Sequence, residues 1–97
     1  MASNLPIPVE QTGETDLVLR QVLQDVLGLS AERVARFDED SGLFGHLPEL
    51  DSMAVAGLLT ELEDRLEILI EDDEVDGEML ETYGALRTFL AEKRADD

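Results

Sequence analysis

Apolar residues recur every three or four positions in several parts of the chain, and the clearest pattern follows Ser52. At about 100° per residue its members fall on one side of a helix, predicted to span residues 52–67. That stripe comprises Val55, Leu58, Leu59, Leu62, Leu66 and Leu69. A similar stripe predicts an earlier helix over residues 14–27, which Gly28 is placed to end.

Two further helices are predicted downstream. The carboxylates of residues 71–74 are expected to open a short helix, because negative charge complements the N-terminal end of the helix dipole. Val75, Met79 and Leu80 would cover the core from that helix. A final helix is predicted from Thr82, a candidate N-cap, to Lys93, and its buried stripe is Tyr83, Leu86 and Leu90.

The stretch of residues 29–50 has no sustained period but carries scattered apolar side chains. A loop of this length is expected to pack its own side chains or to serve function, with a short helical turn over residues 30–36. The predicted fold is therefore all-α: a four-helix bundle of three longer helices and one short, with a long loop between the first two. Residues 1–13 are predicted to form a flexible tail, residues 14–94 one domain, and residues 95–97 a frayed end.

Charge restricts the possible partners. The chain has 24 acidic and 7 basic residues, a formal net charge of −17, and no cysteine. Nucleic acids and anionic membranes would repel it, so a basic protein surface is the expected partner. No apolar run approaches the roughly 18 residues of a membrane span, and the N-terminal residues do not resemble an export signal. We therefore expect a cytoplasmic monomer without membrane insertion, in which any thiol chemistry needs an external sulfur.

Ser52 lies where the long loop becomes a helix, and an N-cap role for Asp51 or Ser52 accounts for that position. Capping and chemistry can coexist there. The wider pattern resembles the acyl carrier proteins over about residues 16–93. The residues that carry the resemblance are Asp51-Ser52-Met53, then Leu58-Leu59-x-x-Leu62-Glu63, then Leu66-x-Ile68-x-Ile70.

The resemblance implies that Ser52, flanked by Asp51 and Met53, carries a 4′-phosphopantetheine arm. A separate phosphopantetheinyl transferase would attach it from coenzyme A, with the Ser52 oxygen attacking the β-phosphate. The arm would hold acyl intermediates as thioesters and present them to partner enzymes. Those partners would be an acyl-loading ligase or acyltransferase and a downstream synthase, each with a basic docking surface.

Docking is expected along the helix that follows Ser52. Met53 would give an apolar contact beside the arm, and Glu61, Asp64 and Glu67 would form an outward acidic strip. Many fatty-acid carriers are acidic where this chain has Ala54 and Gly57. That difference and the lead-in over residues 47–50 suggest a specialised subfamily, similar to carriers of bacterial exosortase or exopolysaccharide systems.

Other chemistry is less well supported by the sequence. Residues 72–77 resemble the first half of a calcium loop, but the twelfth position, where such a loop has a glutamate, is Tyr83. His46 and Ser52 lack the Gly-x-Ser-x-Gly elbow of a hydrolase. We therefore predict neither a metal site nor an enzyme. Two alternatives remain open: an acidic helical interaction or inhibitor protein without a prosthetic group, and a carrier of peptidyl or aminoacyl cargo.

Overall fold

A computed structural model describes the backbone of residues 7–95 and the side chains of residues 13–94. The helices are α1 (Ile7–Leu27), α2 (Ala31–Ala35), α3 (Ser52–Leu66), α4 (Gly77–Glu81) and α5 (Tyr83–Ala95), and Asp72–Glu74 forms a 3₁₀ helix. The predicted all-α fold with three longer helices is confirmed. Two short helices accompany them rather than one. Within the described residues, every helix is too short or too polar to cross a membrane.

Helix α1 begins at Ile7, well before the predicted start at residue 14, so the backbone of residues 7–13 is helical. Pro8 is compatible with this start because it lies in the first turn, where a helical N–H has no partner to lose. Residues 1–6 of the predicted tail lie outside the described residues. The predicted C-terminal stop is confirmed: Gly28 has φ 71° and donates its backbone N–H to Gln24 at 2.9 Å.

Helix α3 begins at Ser52, as predicted, and ends in the left-handed residue Glu67, with φ 56°. The chain leaves the helix there, and helical periodicity no longer decides which side chains are buried. Leu69 was therefore wrongly assigned to the buried stripe: its side chain is 66% exposed, whereas Ile68 and Ile70 are buried. The Glu63 carboxylate fixes this exit by accepting a hydrogen bond from the backbone N–H of Ile70 at 2.7 Å.

The short helix after this exit starts later than predicted. Residues 71–74 do not open it but form a separate turn, in which Glu74 accepts a hydrogen bond from the backbone N–H of Glu71 at 2.9 Å. Asp76 is the N-cap of α4, accepting from the N–H of Met79 at 2.9 Å. The predicted cap of the last helix is confirmed, since Thr82 accepts from the N–H of Ala85 at 3.1 Å.

The long loop between α1 and α3 contains α2 and is held against the junction of α4 and α5 by backbone hydrogen bonds. Leu43 donates to the Glu81 carbonyl at 2.8 Å, and Phe44 donates to the Leu80 carbonyl at 2.9 Å. In return, Tyr83 donates to Ser41 at 2.8 Å and Gly84 to Glu39 at 3.1 Å. The last of these approaches requires a glycine, because a Cβ on Gly84 would lie 2.8 Å from the Glu39 carbonyl oxygen.

The core joins the helices to this loop. Its fully buried members are Leu19, Val22, Leu23, Val34, Leu43, Leu58, Leu62, Tyr83, Leu86 and Leu90. The predicted stripe of the last helix is therefore confirmed, and Leu43 shows that the loop packs its own side chains, as expected. Val55 and Leu59 are only partly buried and pack at the margin of the core.

A polar cluster at the edge of the core was not predicted. The Tyr83 hydroxyl donates a hydrogen bond to the Asp16 carboxylate, which also accepts one from Arg20 at 2.8 Å. Arg87 lies 3.6 Å from the same carboxylate. Arg20 then donates to the backbone carbonyls of Val34 at 2.5 Å and of residue 37 at 3.1 Å. One carboxylate thus joins α1 and α5, and through Arg20 it fixes α2 and the start of the loop.

The surroundings of Asp16 determine its ionisation. Burial alone would raise the pKa of the carboxyl, but the hydrogen bonds from Tyr83 and Arg20 and the charges of Arg20 and Arg87 outweigh burial. The net effect lowers the pKa of Asp16 below its ordinary 3.8. Burial, followed by the hydrogen bond to Asp16, raises the pKa of Tyr83. Asp16 is therefore ionised and Tyr83 protonated at neutral pH.

Candidate functional site

Ser52 is the first residue of α3 and is exposed. The cap of the helix is Asp51, whose carboxylate accepts a hydrogen bond from the backbone N–H of Ala54 at 2.8 Å. The hydroxyl of Ser52 makes no hydrogen bond with any residue that the structure describes. Of the two capping roles that the sequence allowed, the structure selects Asp51, and this leaves the Ser52 hydroxyl available as a nucleophile.

The segment that leads to Ser52 is anchored from both sides. Leu50 is buried in the core, 3% exposed. One residue earlier, Glu49 accepts hydrogen bonds from both terminal nitrogens of the Arg33 guanidinium, at 2.8 and 3.5 Å. The hydrogen bond from Arg33 lowers the pKa of the Glu49 carboxyl. A paired carboxylate and a buried leucine therefore fix the backbone immediately before the cap, and this positions the serine.

The outer face of α3 carries the side chains proposed for docking, but they differ in how freely they face solvent. Met53 is 86% exposed, directly after Ser52. Asp64 and Glu67 are exposed, and their carboxylates have no ion-pair partner in the described part of the chain. Glu61 is half-buried and accepts a hydrogen bond from Arg65 at 2.8 Å. Its charge is therefore partly neutralised within the molecule.

All seven basic side chains form ion pairs within the molecule. Arg65 illustrates the arrangement, since it contacts both Glu61 on its own helix and Asp25 on α1, each at 2.8 Å. Such surface pairs contribute little stability individually. Their consequence is electrostatic: the cations are already matched, so the remaining acidic excess is presented to solvent and favours a basic partner.

A groove of ≈ 440 Å³ opens beside Ser52 on the side of the loop. Its lining residues are Phe44, Gly45, His46, Leu47, Pro48, Leu50, Asp51 and Ser52. The His46 side chain is exposed, and its ring also lies directly over Gly42. A Cβ on Gly42 would lie 2.4 Å from the His46 Cγ, so that packing requires the glycine. The sequence did not indicate that His46 and Ser52 line one groove.

The position of Ser52 suits a phosphate ester on its hydroxyl. A phosphate ester on the Ser52 hydroxyl would lie at the N-terminal end of a 15-residue helix, where the helix dipole favours negative charge. By contrast, no group of three or more histidines, aspartates or glutamates among the described residues could hold a metal ion.

Comparisons with known proteins agree with this chemistry. A family model described as "Phosphopantetheine attachment site" matches residues 17–90. The structure is similar to the solution NMR structure of a holo acyl carrier protein from Nitrosomonas europaea, with a TM-score of 0.72 and 36% sequence identity. That similarity covers 86% of this chain and 96% of the Nitrosomonas chain. No curated protein sequence matches.

Proposed function

We propose that this chain, which belongs to the acyl carrier protein family, carries acyl intermediates as thioesters on an arm attached to Ser52. It is a carrier and not itself an enzyme, and its cofactor is a covalently attached 4′-phosphopantetheine. When bound, this cofactor supplies a thiol, a group that a chain without cysteine lacks. We propose Ser52 as the attachment point, acyl groups as the cargo, and the partner enzymes described below.

The observation that carries the proposal is the free hydroxyl of Ser52. Asp51 caps α3, so neither the helix nor any other described residue uses the serine oxygen. Ser52 is exposed, and the backbone before it is held by the buried Leu50 and by the pair between Glu49 and Arg33. In a phosphopantetheinyl transferase the serine oxygen would attack the β-phosphate of coenzyme A and lose its proton to a base of that enzyme. The pyrophosphate bond would break, and adenosine 3′,5′-bisphosphate would leave. This chain contributes the position of the oxygen and the positive end of the α3 dipole.

Partners are proposed to dock along the outer face of α3. Met53 offers them a flexible apolar contact next to the attachment point. Asp64 and Glu67 offer charge about 18 Å or more from Ser52, at 1.5 Å of rise per helical residue. Glu61 belongs to the strip in position but contributes less, because Arg65 already binds it. The partners would be the transferase, an acyl-loading ligase or acyltransferase, and a downstream synthase.

The uncharged Ala54 and Gly57 early in α3 support a dedicated set of partners rather than general fatty-acid enzymes. A specialised pathway in the cytoplasm, such as one linked to exosortase or exopolysaccharide systems, is therefore the proposed setting. On the proposed docking face the negative charge lies toward the C-terminal end of α3. A partner matched to it would place its basic residues away from Ser52, leaving the apolar surface of Met53 next to the attachment point of the arm.

Acyl loading tests the proposed cargo. The protein bearing its arm is incubated with a fatty acid, ATP and a broad-specificity acyl-loading ligase, and its intact mass is followed. We expect the mass to rise by one acyl group and to return to its starting value after neutral hydroxylamine, which cleaves thioesters. Ser52→Ala is the matched control and should gain nothing. An acyl adduct that resists hydroxylamine, or one that forms equally on Ser52→Ala, would contradict a thioester on this arm.

A further inference from the structure

We propose that the groove beside Ser52 is a resting site for the pantetheine part of the arm, which lies against the loop and not along the outer face of α3. This inference rests on the proposed attachment at Ser52. It assigns a binding role to the loop that precedes the helix, in addition to the loop's role in packing. The resting position would shield the arm between visits to partner enzymes.

The location of the groove favours the arm as its occupant. Ser52 is itself one of the lining residues, so a group attached to its oxygen begins at the edge of the groove. The ≈ 440 Å³ of space continues from there past Asp51 and Leu50 toward Phe44. Met53, by contrast, does not line the groove, and its side chain is 86% exposed.

The groove is also preformed. One wall begins at Phe44, whose backbone N–H bonds to the Leu80 carbonyl of α4 at 2.9 Å. The preceding residue, Leu43, is held in the same way by the Glu81 carbonyl at 2.8 Å. The wall near the serine is fixed by the buried Leu50 and by the pair between Glu49 and Arg33. A groove whose sides are held by other parts of the fold does not need to be ordered when it binds a ligand, which lowers the cost of binding.

Its lining suits a chain of mixed polarity. Phe44, 38% exposed, together with Leu47 and Pro48, offers apolar surface to the paired methyl groups of pantetheine. His46 provides ring nitrogens that make no hydrogen bond or ion pair with any residue in the described part of the chain, so they are available to the amides of the arm. The apolar and the polar groups of the ligand thus each have a counterpart.

A covalent tether favours the arm over a separate protein as the occupant. Attachment at the edge of the groove makes binding intramolecular, and a short tether gives an effective concentration in the millimolar range. A weak intrinsic affinity then suffices to keep the groove occupied for part of the time. A resting site must also release the arm to partner enzymes, and weak intrinsic binding meets that requirement.

Proton NMR of the protein with its arm attached tests this inference through the methyl groups of pantetheine. A methyl group that lies against an aromatic ring is shifted by the ring current, so the two methyl resonances should be displaced from those of free phosphopantetheine. Nuclear Overhauser contacts should join them to the Phe44 ring and the Leu47 methyl groups. In Phe44→Ala the displacement should be lost. Leu17→Ala removes a leucine that is 69% exposed on α1, outside the groove, and should leave the resonances unchanged.

The outcomes separate this inference from the function on which it rests. If Ser52 receives no arm from a competent transferase, the attachment proposal fails and the resting site with it. If the arm is attached but its methyl resonances equal those of free phosphopantetheine, only the resting site is overturned. Contacts from the arm to Met53 instead of Phe44 would also overturn it. If Phe44→Ala is modified more slowly but its methyl resonances equal those of the wild type, the groove binds the transferase and not the arm.

Discussion

The Asp51 carboxylate caps helix α3 by accepting a hydrogen bond from the backbone N–H of Ala54, with an N···O distance of 2.8 Å. This bond satisfies one of the backbone donors that the start of a helix leaves without a partner. Ser52, the next residue, is consequently not needed for helix formation. Two adjacent residues therefore divide two tasks: one stabilises the helix and the other is available for chemistry.

This division predicts different stabilities for two neighbouring alanine variants. Asp51→Ala should lower the free energy of unfolding by about 1 kcal/mol, the usual cost of a lost N-cap. Ser52→Ala should change it by less than about 0.5 kcal/mol, as for other surface substitutions. Urea unfolding measures both. Asp51→Asn retains a capping oxygen and should stay close to wild type. An equal loss from Ser52→Ala and Asp51→Ala would show that the serine shares the cap.

Asp16 predicts an acid-sensitive contribution to stability. Its pKa is lowered in the folded protein, so the folded state favours the ionised form. The resulting stabilisation is present above the ordinary pKa of 3.8 and is lost as pH falls through the lower, folded value. Wild type should therefore be more stable than Asp16→Asn near neutral pH, and the difference should shrink in the acid range. Urea unfolding from pH 7 down to pH 2 measures it.

Tyr83→Phe is the companion variant, since it keeps the ring in the core and removes only the hydroxyl. A hydrogen bond to a charged group contributes about 1.5–3 kcal/mol, so this variant should be destabilised by about that amount near neutral pH. A constant difference between wild type and Asp16→Asn at every pH would contradict the lowered pKa. No loss in Tyr83→Phe would mean that the bond to Asp16 contributes nothing.

Two helical glycines predict opposite responses to alanine. Gly57 lies inside α3, where an added Cβ would meet only Val26 Cγ1 at 3.8 Å, an ordinary contact. Gly57→Ala should raise the free energy of unfolding by about 0.5–1 kcal/mol, because glycine disfavours the helix. Gly84→Ala should lower it by about 1–3 kcal/mol, because its Cβ would lie 2.8 Å from the Glu39 carbonyl oxygen. Thermal and urea unfolding measure both, and stabilisation by Gly84→Ala would refute the close approach of the loop.

The proposed docking face predicts a salt-dependent effect on modification. Reversing Asp64 and Glu67 to lysine should slow transfer of the arm to Ser52 mainly through association, and the effect should shrink as salt shortens the Debye length to roughly 10 Å at 0.1 M. Met53→Ala should slow it at every salt concentration, because an apolar contact is not screened. Modification rates against NaCl concentration measure both.

Reversal of Glu92 and Asp96 matches the first variant in charge and serves as its control. Equal slowing by the control pair would show that net charge alone, and not a docking face, governs the encounter. Unchanged rates in the Asp64 and Glu67 variant would remove the acidic strip from the docking surface. The loop over residues 43–50 would then be the next surface to test.

The helices could be predicted from the sequence because their apolar stripes are regular. Several of the helix ends could not, because they depend on individual side-chain hydrogen bonds that the apolar pattern does not reveal. Leu69 continued the spacing of α3 and was assigned to the core. The helix had already ended at Glu67, held by the hydrogen bond between Glu63 and the backbone of Ile70. At the other end of the chain, Gly13 and two prolines suggested a tail, yet α1 extends back to Ile7.

Ser52 could be proposed as the attachment point from its position and from the family resemblance, whereas its surroundings could not be predicted. Three contacts near the site join residues that no common helical periodicity relates. They are the contact between His46 and Gly42, the pair of Arg33 with Glu49, and the approach of Gly84 to Glu39. A glycine within the first turn of a predicted helix was the one available sign of close packing at Gly84. The cluster around Asp16 had no sequence signal, because a charged residue at that position is equally compatible with an exposed face of α1.

The most direct test of the account is the intact mass of the protein after incubation with coenzyme A and a broad-specificity phosphopantetheinyl transferase. Wild type should gain the mass of one 4′-phosphopantetheine, and Ser52→Ala, with helicity unchanged by circular dichroism, should gain none. Asp51→Asn, which keeps the cap, should still accept the arm. Failure of wild type to gain mass with a transferase active on another carrier, or a full gain in Ser52→Ala, would contradict attachment at Ser52.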